Sequence, residues 1–115
     1  MALNYAEEKF YQAVRSLASE GTLKFRLACA AEYLIRLKAE DFPDDELRSR
    51  FSEIVQKLTA QEPQRDEGSL QASVAAMNDQ EVSHIAEEIV SIYADIAGRD
   101  PRNLYHPAPT KKLGQ

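Results

Sequence analysis

The segment Asn78–Gly98, NDQEVSHIAEEIVSIYADIAG, decides the fold class. Asn78 is a good helix N-cap and Glu81 follows three positions later, so a capping box opens the segment. Val82, Ile85, Ala86, Ile89, Tyr93 and Ile96 then recur at the 3/4 spacing of one helical face, with Val90 and Ile92 at its margins. Gly98 supplies a C-terminal stop. The reading is a helix to about Ala97 with one apolar side, and such a side is stable only against other elements.

The same grammar recurs upstream. Asn4 and Glu7 form a second capping-box pair, and Ala6, Phe10, Ala13, Val14 and Leu17 give a buried face to a helix from about Asn4 to Ala18, stopped by Gly21. Thr22 is placed to cap a helix running to about Lys38, with the stripe Leu23, Leu27, Ala30, Leu34 and Leu37 widened by Ala28, Ala31 and Ile35. The run Asp41-Phe42-Pro43-Asp44-Asp45-Glu46 marks a break and a new start, with Pro43 well placed near the first helical turn and the acids favoured by the helix dipole. The helix that follows, to about Ala60, has Leu47, Phe51, Ile54, Val55 and Leu58 as its core face. Gln61–Gly68 is polar, with Pro63 and Gly68, and reads as the longest internal loop. A short helix from about Ser69 to Met77 carries Leu70, Val74 and Met77 on one side.

No segment alternates with the period of a strand, and the chain holds only 4 glycines and 5 prolines, too few for the turns of an all-β barrel or sandwich. The predicted architecture is all-α: a compact helical bundle of four main helices plus one short helix in residues 1–98. Residues 99–115, with Pro101, Pro107 and Pro109, are expected to form an extended, flexible C-terminal tail. The expected core is Phe10, Val14, Leu17, Leu27, Leu34, Phe51, Ile54, Leu58, Val82, Ile85, Ile89 and Ile96.

Composition narrows the function classes. The net charge is −5, and residues 99–115 carry +3 of their own, so the body is more acidic still; this disfavours phosphate backbones and hence nucleic acid. The single cysteine, Cys29, has no internal disulfide partner, and no Cys/His spacing matches a zinc site. No apolar run reaches the roughly 20 residues needed to cross a bilayer. The N-terminal residues lack the basic and apolar regions of a signal peptide, so a cytoplasmic location with no membrane partner is expected.

Few residues suggest chemistry. His84 and Glu88 are four apart on one helix near Glu81, but a metal site needs three or four ligands and no second histidine is available in the helices. Asp44, Asp45 and Glu46 are explained by the helix start they occupy. Neither a metal nor a cofactor is expected. The segment Arg99–His106 resembles the arginine–histidine motif of HEPN-type ribonucleases over eight residues, with Pro101 interrupting it. That resemblance implies an alternative reading, a small helical ribonuclease using Arg99 or Arg102 with His106. A dispersed enzymatic site drawing on Arg26, Cys29, Tyr33 and His84 is the other catalytic arrangement open to this chain.

The clearest constellation lies on the second helix. At 100° per residue Thr22, Arg26, Cys29, Tyr33 and Arg36 fall on one line, bordered by Phe25 and Glu32. Lys24, Arg26, Arg36 and Lys38 against Glu32 make this stretch basic on an acidic chain, and Arg and Tyr are the residue types that dominate interface energetics. The expectation is therefore a non-catalytic interaction protein, regulatory or adaptor in role. It would bind a protein partner or a second copy of itself through Arg26, Cys29, Tyr33 and Arg36.

Overall fold

The computed structural model describes residues 2–61 and 67–99, with side chains over 4–61 and 68–99. The described residues form five α-helices, α1 (Ala2–Leu17), α2 (Leu23–Leu34), α3 (Asp45–Leu58), α4 (Glu67–Ala76) and α5 (Asp79–Gly98), with a 3-10 turn at Ala39–Asp41. The all-α bundle read from the sequence is the fold. Residues 100–115, most of the expected tail, and 62–66, most of the expected loop, lie outside the described residues. None of the described helices is long and apolar enough to cross a membrane.

The caps form where local chemistry puts them. Thr22 Oγ1 accepts from Phe25 N–H at 3.1 Å, Asp44 Oδ1 from Leu47 N–H at 3.0 Å and Asn78 Oδ1 from Glu81 N–H at 2.8 Å. Glu81 completes its box by accepting from Asn78 N–H at 2.9 Å. Asp44 is the N-cap of α3, with Pro43 one residue before it, whereas Asn4, the expected cap of α1, lies inside that helix, which begins at Ala2. Between α1 and α2 the chain turns at Gly21, whose φ of 111° is a left-handed conformation that side chains rarely tolerate.

Helix α2 ends four residues earlier than the apolar stripe predicts. Beyond Ile35 the backbone tightens from i−4 to i−3 bonds, Arg36 N–H to Tyr33 O at 3.4 Å and Leu37 N–H to Leu34 O at 3.0 Å. The next amide, Lys38 N–H, donates to the Asp41 carboxylate at 2.8 Å instead of to Leu34. A side chain thus outcompetes the helix for the backbone donor. The detour carries Phe42 into the core, 1% exposed, between Phe10 at 6.1 Å and Phe51 at 4.8 Å between ring centroids.

Packing follows from connection lengths. The short turn after Leu17 folds α2 back against α1, and α5 lies along α1 as well. Tyr11 meets Tyr93 at 6.1 Å, whereas Leu17 shares a surface depression with Ala86 and Val90, so α1 and α5 run antiparallel. Helix α4 packs on α2 and α3, and α3 closes onto α5. The expected core residues are buried, except that Val14 is half-buried: it sits beside the α1 stripe Ala6, Phe10, Ala13 and Leu17. On α5 the buried stripe is Val82, Ile85, Ile89, Ile92 and Ile96, a 3-4-3-4 spacing. Ile92 is therefore central, and Tyr93, expected on the core face, stands half-buried at the margin.

An ionic staple joins the start of α3 to the end of α5. Arg99 donates to Asp95 at 3.0 Å and to Asp44 at 2.6 Å; Arg50 pairs with Glu88 at 3.3 Å and Asp95 at 3.6 Å and donates to Ser91 at 2.8 Å. Arg99, expected to begin the tail, is therefore tied to the body. The Leu47 amide and the Arg99 guanidinium hold the Asp44 carboxyl below the usual carboxylate range.

Two measurements check this account. Phe42→Ala should lower the unfolding free energy by about 3–5 kcal/mol in a denaturant titration, because the ring fills a closed site between two others. Asp44 has a depressed pKa in the folded state, so its contribution to stability is complete above its unfolded value, about 3.9, and disappears as pH falls through the lower folded value. Asp44→Asn keeps the cap but removes the charge. The stability gap between wild type and Asp44→Asn should be constant above about pH 5 and close progressively in more acidic buffer.

Candidate interaction surface

Helix α2 packs on α1 and on α4, and its cations partly serve those neighbours. Arg26 Nη1 donates to Leu17 O at 2.5 Å and its Nε to Gly21 O at 2.9 Å, closing the C-terminal end of α1. Lys24 Nζ donates to Ala75 O at 3.1 Å, in the last turn of α4. Both place positive charge where helix carbonyls converge, which stabilises the ends through hydrogen bonds and the helix dipole together. Part of the basic character that stands out in the sequence is thus structural.

Arg36 is different. Among the described residues Arg15 lies 5.9 Å from the Tyr11 ring, Arg26 caps α1, Arg48 binds Asp45 and Phe42 O, and Arg50 and Arg99 form the ionic staple. The Arg36 guanidinium is exposed and makes no hydrogen bond, ion pair or ring contact among those residues. It also lies beyond the end of α2, so the regular 100° wheel does not apply to it. The i−3 bond from Arg36 N–H to Tyr33 O substitutes for that wheel, because residues three apart eclipse in a 3-10 turn. The backbone bond thereby keeps Arg36 within one tight turn of half-buried Tyr33.

Cys29 is half-buried and free of disulfide. It opens into a shallow groove of about 280 Å3 between α2 and α4, with Phe25, Glu32, Gln71, Val74 and Ala75 around it. Phe25 is the most exposed large apolar side chain described, at 59%, although it falls only at the border of the predicted line. It lies against Gly21, where an added Cβ would meet its ring at 2.8 Å. The outer side of α2 is therefore a shallow groove lined by Lys24, Phe25, Cys29 and Glu32, with Arg26 turned to the end of α1 and Tyr33 and Arg36 further along the chain.

The catalytic alternatives do not assemble among the described residues. His84 is exposed and lines a cavity of about 530 Å3 with Lys57, Gln61, Met77 and Gln80, and a second of about 270 Å3 with Arg50 and Glu88. Neither cavity is lined by Cys29, Tyr33 or Arg26. Glu88 binds Arg50, and no group of three His, Cys, Asp or Glu among the described residues is arranged to hold a metal ion. Of the ribonuclease-like motif, Arg99 is committed to Asp44 and Asp95, while Arg102 and His106 fall outside the described residues. Compared with family models, with curated proteins and with solved structures, the chain matches none of them.

Arg26→Ala should cost about 1–3 kcal/mol of stability, because it leaves two carbonyls at a helix end without their charged donor. Arg36→Ala should change stability by less than about 0.5 kcal/mol. Paired thermal melts of the two variants check the difference.

Proposed function

We propose that the protein is a small non-catalytic helical module that binds an acidic face of a protein partner through the outer side of α2, in a regulatory or adaptor role. The observation that carries this reading is the uncommitted Arg36 guanidinium beside Tyr33, in a chain whose other described arginines are all engaged. An arginine forks bidentately onto a carboxylate and stacks on an aromatic ring, and both gains grow when a partner excludes water from the pair. The groove bearing Cys29 and Phe25 supplies further area, and Arg26 adds positive charge on the same helix while it holds α1. A chain with a net charge of −5 leaves few basic places where such a partner is attracted rather than repelled.

The test is affinity capture from the native host with wild type and Arg36→Glu side by side, read by mass spectrometry and followed by binding measurements on each captured protein. A true partner should lose about 2–4 kcal/mol on Arg36→Glu, roughly 30- to 1000-fold in Kd, mainly through faster dissociation. The circular dichroism melt should remain that of wild type. If every protein held by the wild type is held equally by Arg36→Glu and by Tyr33→Ala, this surface is a solvated face and the reading is wrong.

A further inference from the structure

Each of α1 and α5 carries two apolar stripes rather than one. The first pair is the core: Ala6, Phe10, Ala13 and Leu17 on α1, and Val82, Ile85, Ile89, Ile92 and Ile96 on α5. One position further along each helix runs a second stripe at the same 4-3-4 spacing. On α5 it is Ala86, Val90, Tyr93 and Ala97; on α1 it is Tyr11 and Val14, with charged Glu7 one turn before them and Ala18 just past the helix end. The antiparallel pairing sets these second stripes side by side, with Tyr11 against Tyr93 at 6.1 Å and a shallow apolar depression of about 310 Å3 floored by Leu17, Leu23, Ala86 and Val90. Tyr11 and Val90 are each 46% exposed, so two of the largest exposed apolar side chains described lie on this one seam.

The spacing and the charge indicate what covers it. An alternating 4-3 spacing is the pattern that receives another helix, knob into hole. The seam carries both signs: Glu7 lies near Tyr93 at one end, Arg15 stands over Tyr11 on the α1 side, and Glu87 borders the depression on the α5 side. Arg15 and Glu87 have no ion pair among the described residues. Elsewhere two copies of a chain with net charge −5 repel one another. A two-fold axis parallel to the helices lays α1 of one copy on α5 of the other at the same height, which sets each Arg15 near the other copy's Glu87. An isologous interface needs such self-complementarity, and this patch has it.

We infer that the α1–α5 seam is a homodimer interface, in which the second stripes of two copies close into a four-helix layer rimmed by reciprocal Arg15–Glu87 pairs. This surface is separate from the α2 face, so its failure and the failure of the partner-binding reading are distinguishable. Sedimentation equilibrium on the full chain, from micromolar to roughly millimolar concentration, tests it. Wild type should reach the dimer mass within that range. Val90→Arg, which adds charge at an exposed position in the middle of the seam, should leave it a monomer with an unchanged circular dichroism spectrum. Arg15→Glu and Glu87→Arg should each raise the dimer Kd about tenfold or more by opposing like charges, and the double variant should recover most of that loss. Arg36→Glu should leave the dimer unaffected. A wild type that stays monomeric throughout, or a dimer indifferent to Val90→Arg, overturns the inference.

Discussion

Phe42 sits edge-on to Phe10 and closely tilted against Phe51, and in doing so it joins α1, the irregular chain after α2 and the first half of α3. Much else depends on that contact. For Phe42 to reach it, the chain must leave the α2 direction early, and the Asp41 carboxylate makes this favourable by taking the Lys38 amide. The early exit sets Arg36 beyond the helix end and lets Asp44 cap α3, from where Asp44 reaches Arg99. A single buried ring of this size is worth several kcal/mol, a large share of the roughly 5–15 kcal/mol that holds a domain folded.

Around that core the C-terminal ends of α1 and α4 are closed with side chains borrowed from α2. Arg26 serves α1, Lys24 serves α4, and Arg99 ties the end of α5 to the cap of α3. Charge that looks like a binding patch in one dimension is thus partly spent on carbonyls that would otherwise face water or the interior without a donor. Arg36 is informative because it is left out of these arrangements.

The two surfaces differ in the physics that would make them sticky. On α2 a cationic and aromatic edge beside a shallow groove suits a partner of opposite charge, and association there should weaken with salt. On the α1–α5 seam the apolar side chains carry most of the contact, which makes salt a smaller term there than on α2. A module with both would present two copies of its α2 face at once, and a divalent ligand would gain avidity without any new contact.

The sequence by itself determined the helical class, the caps at Thr22 and Asn78 and most of the core, because capping and 3/4 periodicity are local and each is written within a few adjacent residues. Its wheel also singled out Arg36 and Tyr33. It could not show that Arg26 would be drawn to Leu17 and Gly21, since that depends on where α1 ends relative to α2. Nor could it place Phe42, whose burial needs two rings from distant segments, or choose between Ile92 and Tyr93 as the inner residue of α5, which differ by one step around the helix. Those choices are made only when helices meet, because the side of a broad apolar face that turns inward is fixed by the neighbour that covers it, and the uncovered remainder becomes the molecule's surface.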